Sequence, residues 1–182
     1  MSGSSASARV KALVFDVFGT VVDWRGSVIR EGEALGRAKG VRVDWAAFVE
    51  EWRTDGYHGA IQRIRRGELP WATVDELHRR KLDELLPKYG LAALGESAIA
   101  DFNRVWHRLA PWPDAVPGLA RLRELYVIAP LSNGSFALLT NMAKHAGLPW
   151  DCILSAELFG AYKPDPATYL APPGCWRSSP GS

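Results

Sequence analysis

The chain has 182 residues, 47% of them hydrophobic and 23% charged, with a formal charge of +2. That is ordinary globular composition, at a length suited to one domain or one domain with a modest insertion. The small charge argues against nucleic acid or an acidic surface as partner, the cluster Arg63, Arg65 and Arg66 reads as a solvated helix end, and no apolar run approaches the roughly 18 residues that suggest a membrane span.

In chain order, Met1 to Ala8 lacks both an apolar core and a basic flank, so residues 1–8 read as a disordered tail and not a secretory signal. Val10 to Val14, followed by Phe15, is a nearly continuous apolar run ending at Asp16 and Gly19, the pattern of a buried parallel strand. From Trp24 to Leu109 the period becomes helical. Asp44 can cap a helix whose apolar residues Trp45, Phe48, Val49 and Trp52 share a face. Thr73 and Glu76 form a capping-box pair ahead of Leu77, Leu82, Leu85 and Leu86, and Ile99, Phe102, Trp106 and Leu109 make a further stripe. Trp45, Trp52, Trp106 and Trp112 could line an apolar pocket, but most fall on such stripes, where core packing explains them better.

Pro111 to Asp114 and Pro117-Gly118 punctuate the chain. A helix around Leu119 to Leu125 follows, then a second apolar run, Tyr126 to Leu131, ending in Ser132, Asn133 and Gly134. Ser135 can cap a helix stopped by Gly147. Cys152 to Leu154 is a third strand candidate, and Asp165-Pro166 a helix start that stops within about a turn. Residues 171–182 hold three prolines and two glycines and read as an irregular tail. Cys152 and Cys175 form no metal-type pair, and no disulfide framework is expected. Together with the absent signal this fits a cytoplasmic protein.

Strands alternating with helices predict an α/β fold with a Rossmann-like parallel sheet. The expected organisation is a discontinuous core over residues 9–22 and 111–170, with a helical cap over 23–110. Ligands in such sheets sit at the carboxyl ends of the strands. Those ends carry Asp16, then Ser132 and Asn133, then Lys163 on the loop beyond the third strand. A partly desolvated carboxylate beside a lysine suits a nucleophile, and Gly19 permits the turn that exposes it. Asp16 could also simply cap that turn, Ser132 and Asn133 could cap the following helix, and Arg53 could be a solvent-facing helix residue. His58, His78, His107 and His145 form no spaced ligand set, and no metal site is assigned.

Asp16 to Thr20, Ser132 to Gly134 and Tyr162 to Asp165 resemble, in order and spacing, the first three motifs of the haloacid dehalogenase superfamily. The resemblance covers about Val10 to Tyr169 and includes the helical cap. It implies Asp16 as nucleophile, Lys163 as the cation that keeps it ionised, and Thr20 as its hydrogen-bonding support. It also implies that Ser132 and Asn133 bind the substrate carboxylate and that Tyr169 is a helix tyrosine facing the site, though packing explains Tyr169 equally well. The Trp52-Arg53 pair resembles the cap arginine that 2-haloacid dehalogenases place near substrate and halide.

In the superfamily's phosphatases the second residue after the nucleophile is an acid; here it is Phe18, which transfers no proton. The resemblance therefore implies a type II, (S)-selective 2-haloacid dehalogenase acting on a small halogenated carboxylic acid, with no cofactor and no metal. It leaves a homodimer open. No fourth motif follows Tyr169, and the C-terminal strands of the core are expected to be missing, as in a truncated or frameshifted chain. The expected consequences are an apolar central strand left at a sheet edge and an ester that is formed but not readily cleared. The alternatives are a catalytically impaired fragment acting as a binding or dimerising module, and a phosphatase of the same superfamily.

Overall fold

Backbone pairing among three apolar runs sets the frame of the molecule. The computed structural model describes residues 10–170; the proposed tails at 1–8 and 171–182, with Cys175, lie outside the described residues. Strands β1 (Ala12–Phe15), β2 (Val127–Ser132) and β3 (Leu154–Ser155) form a parallel sheet in the order β1-β2-β3. Ala12 pairs with Val127 and Phe15 with Pro130, while Leu131 pairs with Leu154 and Ser132 with Ser155. The fold is therefore the expected α/β class. β1 stands at the edge of the described sheet, and Val14 is 50% exposed.

The third strand is shorter and later than the apolar run Cys152 to Leu154 predicts. The cause lies in β2. Val127 N–H donates to Lys11 on the β1 side, whereas Ile128 exchanges hydrogen bonds with Asp151 on the β3 side. Backbone direction alternates along a strand, so Pro130 turns its missing donor toward β3, and the ladder forms only from Leu131 onward. A second boundary also moves: the helix expected around Leu119 to Leu125 spans Ala115–Arg123 (α6). Pro117 falls within its first turn, where no intrahelical N–H is needed.

Between β1 and α6 the chain is helical: α1 (Trp24–Lys39), α2 (Trp45–Glu51), α3 (Ala60–Arg65), α4 (Val74–Lys88) and α5 (Glu96–Asn103). A π-helical segment, Trp52–Gly59, joins α2 to α3, and a 3₁₀ turn, Arg104–His107, follows α5. The caps act as the sequence predicts: Asp44 accepts from Ala47 N–H at 3.0 Å, and Thr73 and Glu76 form the reciprocal capping box. Trp45, Phe48, Trp52, Phe102 and Trp106 are buried together, with ring centroids 5.3 Å apart for Trp52–Trp106 and 5.7 Å for Phe48–Trp52. These tryptophans are core, as expected. Trp112 differs: it is partly exposed and donates from Nε1 to the Gly19 carbonyl at 3.1 Å.

The chain leaves the sheet region and returns to it at adjacent points. Asp23 N–H donates to Ala110 O at 2.9 Å, and Trp112 N–H to Val21 O at 3.0 Å. After β2 come α7 (Phe136–Ala146), capped by Ser135 and ended by Gly147 at φ +69°, and the short α8 (Ala167–Leu170). No helix among the described residues is long and apolar enough to cross a membrane.

Candidate active site

The carboxyl end of β1 runs directly into the turn that presents Asp16. Gly19 there has φ +94°, a conformation that L side chains rarely adopt, and its N–H donates to Val22 O at 3.0 Å. The turn brings Thr20 back over the strand end, where its hydroxyl donates to Asp16 Oδ2 at 2.9 Å. From the loop after β3, Lys163 Nζ donates to Asp16 Oδ1 at 2.8 Å. The Asp16 side chain is 48% exposed, so its ionised oxygens are held from two sides yet reachable. Burial works to raise its pKa, but the Lys163 hydrogen bond and charge, Thr20 and the Val17 N–H outweigh it and hold the carboxyl below the usual range.

The ends of β2 and β3 are bound to the same loop. Asn133 Oδ1 accepts from Lys163 N–H at 2.7 Å, which places the lysine. Ser132 is buried at the end of β2, and its Oγ accepts from Gly134 N–H at 3.2 Å. Tyr162, just before the lysine, is buried and its hydroxyl donates to Ala72 O in the helical segment.

Arg53 enters from that helical segment. It is only 8% exposed, with its guanidinium carbon 4.0 Å from the Tyr57 ring centroid, 5.2 Å from Phe18, 5.2 Å from Trp24 and 5.9 Å from Trp106. It is thus not the solvent-facing helix arginine that the sequence left open. Burial lowers its pKa, while Tyr57 and the Asp16 charge work the other way. An arginine stays charged under such a shift. Its Nη1 is buried without a hydrogen-bond partner among the described residues. A buried guanidinium N–H facing aromatic walls and a nearby carboxylate suits an anionic or electronegative ligand.

The structure thus brings together Asp16, Thr20, Asn133 and Lys163 by hydrogen bonds, with Arg53 close enough to feel the Asp16 charge. Ser132 adjoins them at the end of β2. Tyr169 stands apart from this hydrogen-bonded group; it lies on α8 and is 55% exposed. Among the described residues no three His, Cys, Asp or Glu side chains gather in a form that could hold a metal ion.

Two further residues belong to this region. Tyr57 is buried, and its ring centroid lies 4.0 Å from the Arg53 guanidinium carbon. Its spacing of four from Arg53 was a visible signal, since such pairs share a helix face. Asp75, in the first turn of α4, accepts from the Ser135 hydroxyl and meets His107 Nε2 at 2.7 Å. Nothing local in the sequence distinguishes it from an ordinary helix N-terminal acid.

The chain is similar to known proteins along most of its length. The sequence model of haloacid dehalogenase-like hydrolases matches residues 10–171. The chain is 33% identical over 162 residues to the (S)-2-haloacid dehalogenase of Xanthobacter autotrophicus, across 88% of this chain and 60% of that protein. It therefore spans well under two thirds of that relative's length. The crystal structure of an L-2-haloacid dehalogenase superposes with a TM-score of 0.85 at 46% identity, over 89% of this chain and 69% of the other. The Xanthobacter autotrophicus L-2-haloacid dehalogenase with chloropropionic acid covalently bound gives a TM-score of 0.73 at 30% identity, over 89% of this chain and 63% of the other. The described sheet has three strands, and each of these relatives is longer than the part that this chain covers.

Proposed function

The chain belongs to the haloacid dehalogenase-like hydrolase family, and from that membership we propose that it cleaves the carbon–halogen bond of short (S)-2-haloalkanoic acids. One Asp16 oxygen attacks C2 from the face opposite the halogen. The C–X bonding pair leaves with the halide, and C2 is inverted as the Asp16 ester forms. Water then adds to the ester carbonyl carbon, releasing a 2-hydroxy acid and a proton and restoring the carboxylate. Lys163 keeps Asp16 ionised, and Asn133 and Ser132 receive the substrate carboxylate. Arg53, projecting from a cap over residues 23–110, faces the halogen. The relative that holds chloropropionic acid covalently supports the ester.

The observation that carries this reading is Phe18. It stands two residues beyond Asp16, and its ring packs 5.2 Å from the Arg53 guanidinium carbon. A phosphate ester needs a proton for its leaving alcohol, which a phenyl ring cannot give. A halide leaves without one. That disfavours the phosphatase alternative.

A second reading is favoured by the half-exposed Asp16 and the edge position of β1: the chain forms the ester but turns it over poorly, or serves as a binding module. Halide release from (S)-2-chloropropionate, followed with and without chelator, tests both. The wild-type chain is expected to release halide unaffected by chelator, and Asp16→Asn to lose at least about 1,000-fold in rate while keeping its unfolding midpoint. Protein carrying one propionate ester by intact mass, without continued release, would select stalled turnover. No halide and no ester from folded protein would overturn the dehalogenase assignment, and phosphate release that requires Mg²⁺ would replace it.

A further inference from the structure

Resting on the dehalogenase reading, we propose that Tyr162 and Asp75 are positioning residues through which one segment of the helical region, residues 71–75, holds the two loops that carry Lys163 and Asn133 in register with Asp16. The segment is stiffened by its own sequence. Thr73 Oγ1 accepts from Glu76 N–H at 3.3 Å, and Glu76 Oε2 accepts from Thr73 N–H at 2.7 Å. This reciprocal capping box fixes the chain as it enters α4. The Thr73 carbonyl starts the helical ladder by accepting from Leu77 N–H at 3.0 Å. The Ala72 carbonyl, one residue earlier, lies outside that ladder and is free to serve another element. Ala72 and Val74 are both buried, which anchors the segment on either side of its cap.

Each loop is held by its own contact with this segment. The Ala72 carbonyl accepts from the Tyr162 hydroxyl, and the Trp71 ring stacks on the buried Tyr162 ring with centroids 6.1 Å apart. Tyr162 adjoins Lys163, whose Nζ donates to Asp16 Oδ1 at 2.8 Å. Asp75 Oδ2 accepts from the Ser135 hydroxyl, and Ser135 Oγ in turn accepts from Leu138 N–H at 3.1 Å as the cap of α7. Asp75 thereby fixes the point where α7 begins, directly after Ser132 and Asn133. Gly134, between them, is tied by its N–H to Ser132 Oγ at 3.2 Å and accepts at its carbonyl from Ser155 Oγ at 2.7 Å. The two loops also bond to each other, Lys163 N–H donating to Asn133 Oδ1 at 2.7 Å. These contacts close a ring: segment 71–75, Tyr162, Lys163, Asn133, Ser135 and back to the segment. Neither loop can move away from Asp16 without breaking a hydrogen bond, and a buried group left without its partner is costly.

Two variants cut the two contacts separately. Tyr162→Phe keeps the ring that stacks on Trp71 and removes only the bond to Ala72, whereas Asp75→Ala removes the bond to Ser135. Both are assayed for halide release from (S)-2-chloropropionate at a temperature where circular dichroism shows them fully folded. Tyr162→Phe should lower kcat about tenfold with KM within about twofold of wild type, because Lys163 attends the nucleophile. Asp75→Ala should raise KM about tenfold with kcat within about twofold, because Asn133 and Ser132 receive the substrate. A purely structural role would not divide the two constants in this way, and losses without that division overturn the proposal. Amide hydrogen exchange gives a readout independent of turnover. Exchange should quicken about tenfold at Lys163 N–H in Tyr162→Phe and at Gly134 N–H in Asp75→Ala. The Tyr89 N–H, bonded to Leu85 O at 3.0 Å at the far end of α4, should be unchanged in both. Unchanged exchange at Lys163 and Gly134, or an equal rise at Tyr89, overturns the positioning role. If the wild-type chain releases no halide, the dehalogenase reading fails, and the exchange rates alone decide whether segment 71–75 holds the loops.

Discussion

The helical region between β1 and α6 and the sheet region around β2 are built to different degrees of closure. In the helical region Trp45, Phe48, Trp52, Phe102 and Trp106 are almost wholly buried, and Trp52 Nε1 donates to His78 O at 2.9 Å inside the core. In the sheet region β1 has a neighbour on one side only among the described residues, and Val14 and Val127 are partly exposed. Asp16, at the end of that edge strand, is half exposed although Lys163 and Thr20 grip it. The lesson is that the two regions divide the labour. The helical region supplies packing energy and one buried cation, and the sheet region supplies reacting groups on a thinner support. Stability should therefore be sensitive to substitutions in the first region, and activity to those in the second.

The largest expected contrast in stability comes from truncating one apolar residue in each region. Trp52→Ala removes a fully buried indole and its hydrogen bond, and should cost about 3–5 kcal/mol. Val14→Ala, on the exposed edge, should cost less than about 1 kcal/mol. Urea unfolding of both variants checks this. Equal costs would mean that the β1 edge is covered in solution.

Glycine replacements sharpen the contrast by reversing its sign. A Cβ on Gly32, in α1, would lie 2.3 Å from Trp45 Cε3 and 2.6 Å from its Cδ2, against a ring that is itself buried. Gly32→Ala should therefore destabilise by about 1–2 kcal/mol, the overpacking cost exceeding alanine's helix preference. A Cβ on Gly118, in α6 beside the sheet, meets nothing within 4 Å. Gly118→Ala should stabilise by about 0.5–1 kcal/mol. Thermal midpoints moving in the same direction would contradict the difference in packing.

Much of this was legible along the chain, because it rests on local chemistry. Asp44, Thr73, Glu76 and Ser135 cap helices wherever a short polar side chain precedes an apolar stripe. Asp16 and Lys163 were readable because parallel strands bring their carboxyl ends to one face. The illegible parts depend on neighbours remote in sequence. The short β3 follows from the side of the sheet to which Pro130 turns, which no apolar pattern reveals. Tyr57 could be placed beside Arg53 by helical spacing, but Phe18 meets Arg53 only once the helical region has docked on the sheet. Asp75 is the extreme case, because both of its partners come from other elements.

Asp75 also offers the smallest and most specific probe of the seam between the two regions. Its carboxylate joins α4 to the Ser135 hydroxyl at the start of α7 and to His107 Nε2 in the 3₁₀ turn, and Asn141 Nδ2 lies 3.0 Å from the other histidine nitrogen. An amide that donates to Nδ1 leaves Nε2 carrying the proton toward Asp75. Burial acts to raise the Asp75 pKa, but hydrogen bonds from His107 and Ser135, with the nearby His107 and His78, outweigh it and hold the carboxyl below its usual range. A carboxyl with a lower pKa in the folded state contributes stability that is fully present above about pH 4 and is lost as the pH falls through the folded value. Asp75→Asn should thus cost about 1 kcal/mol at pH 7, and its deficit against wild type should shrink on acidification below pH 4. Urea unfolding of both proteins at pH 7, 4 and 3 measures this. A deficit constant over that range would show that Asp75 acts by shape alone, and that the seam is held by contacts such as Tyr162–Ala72 instead of by charge.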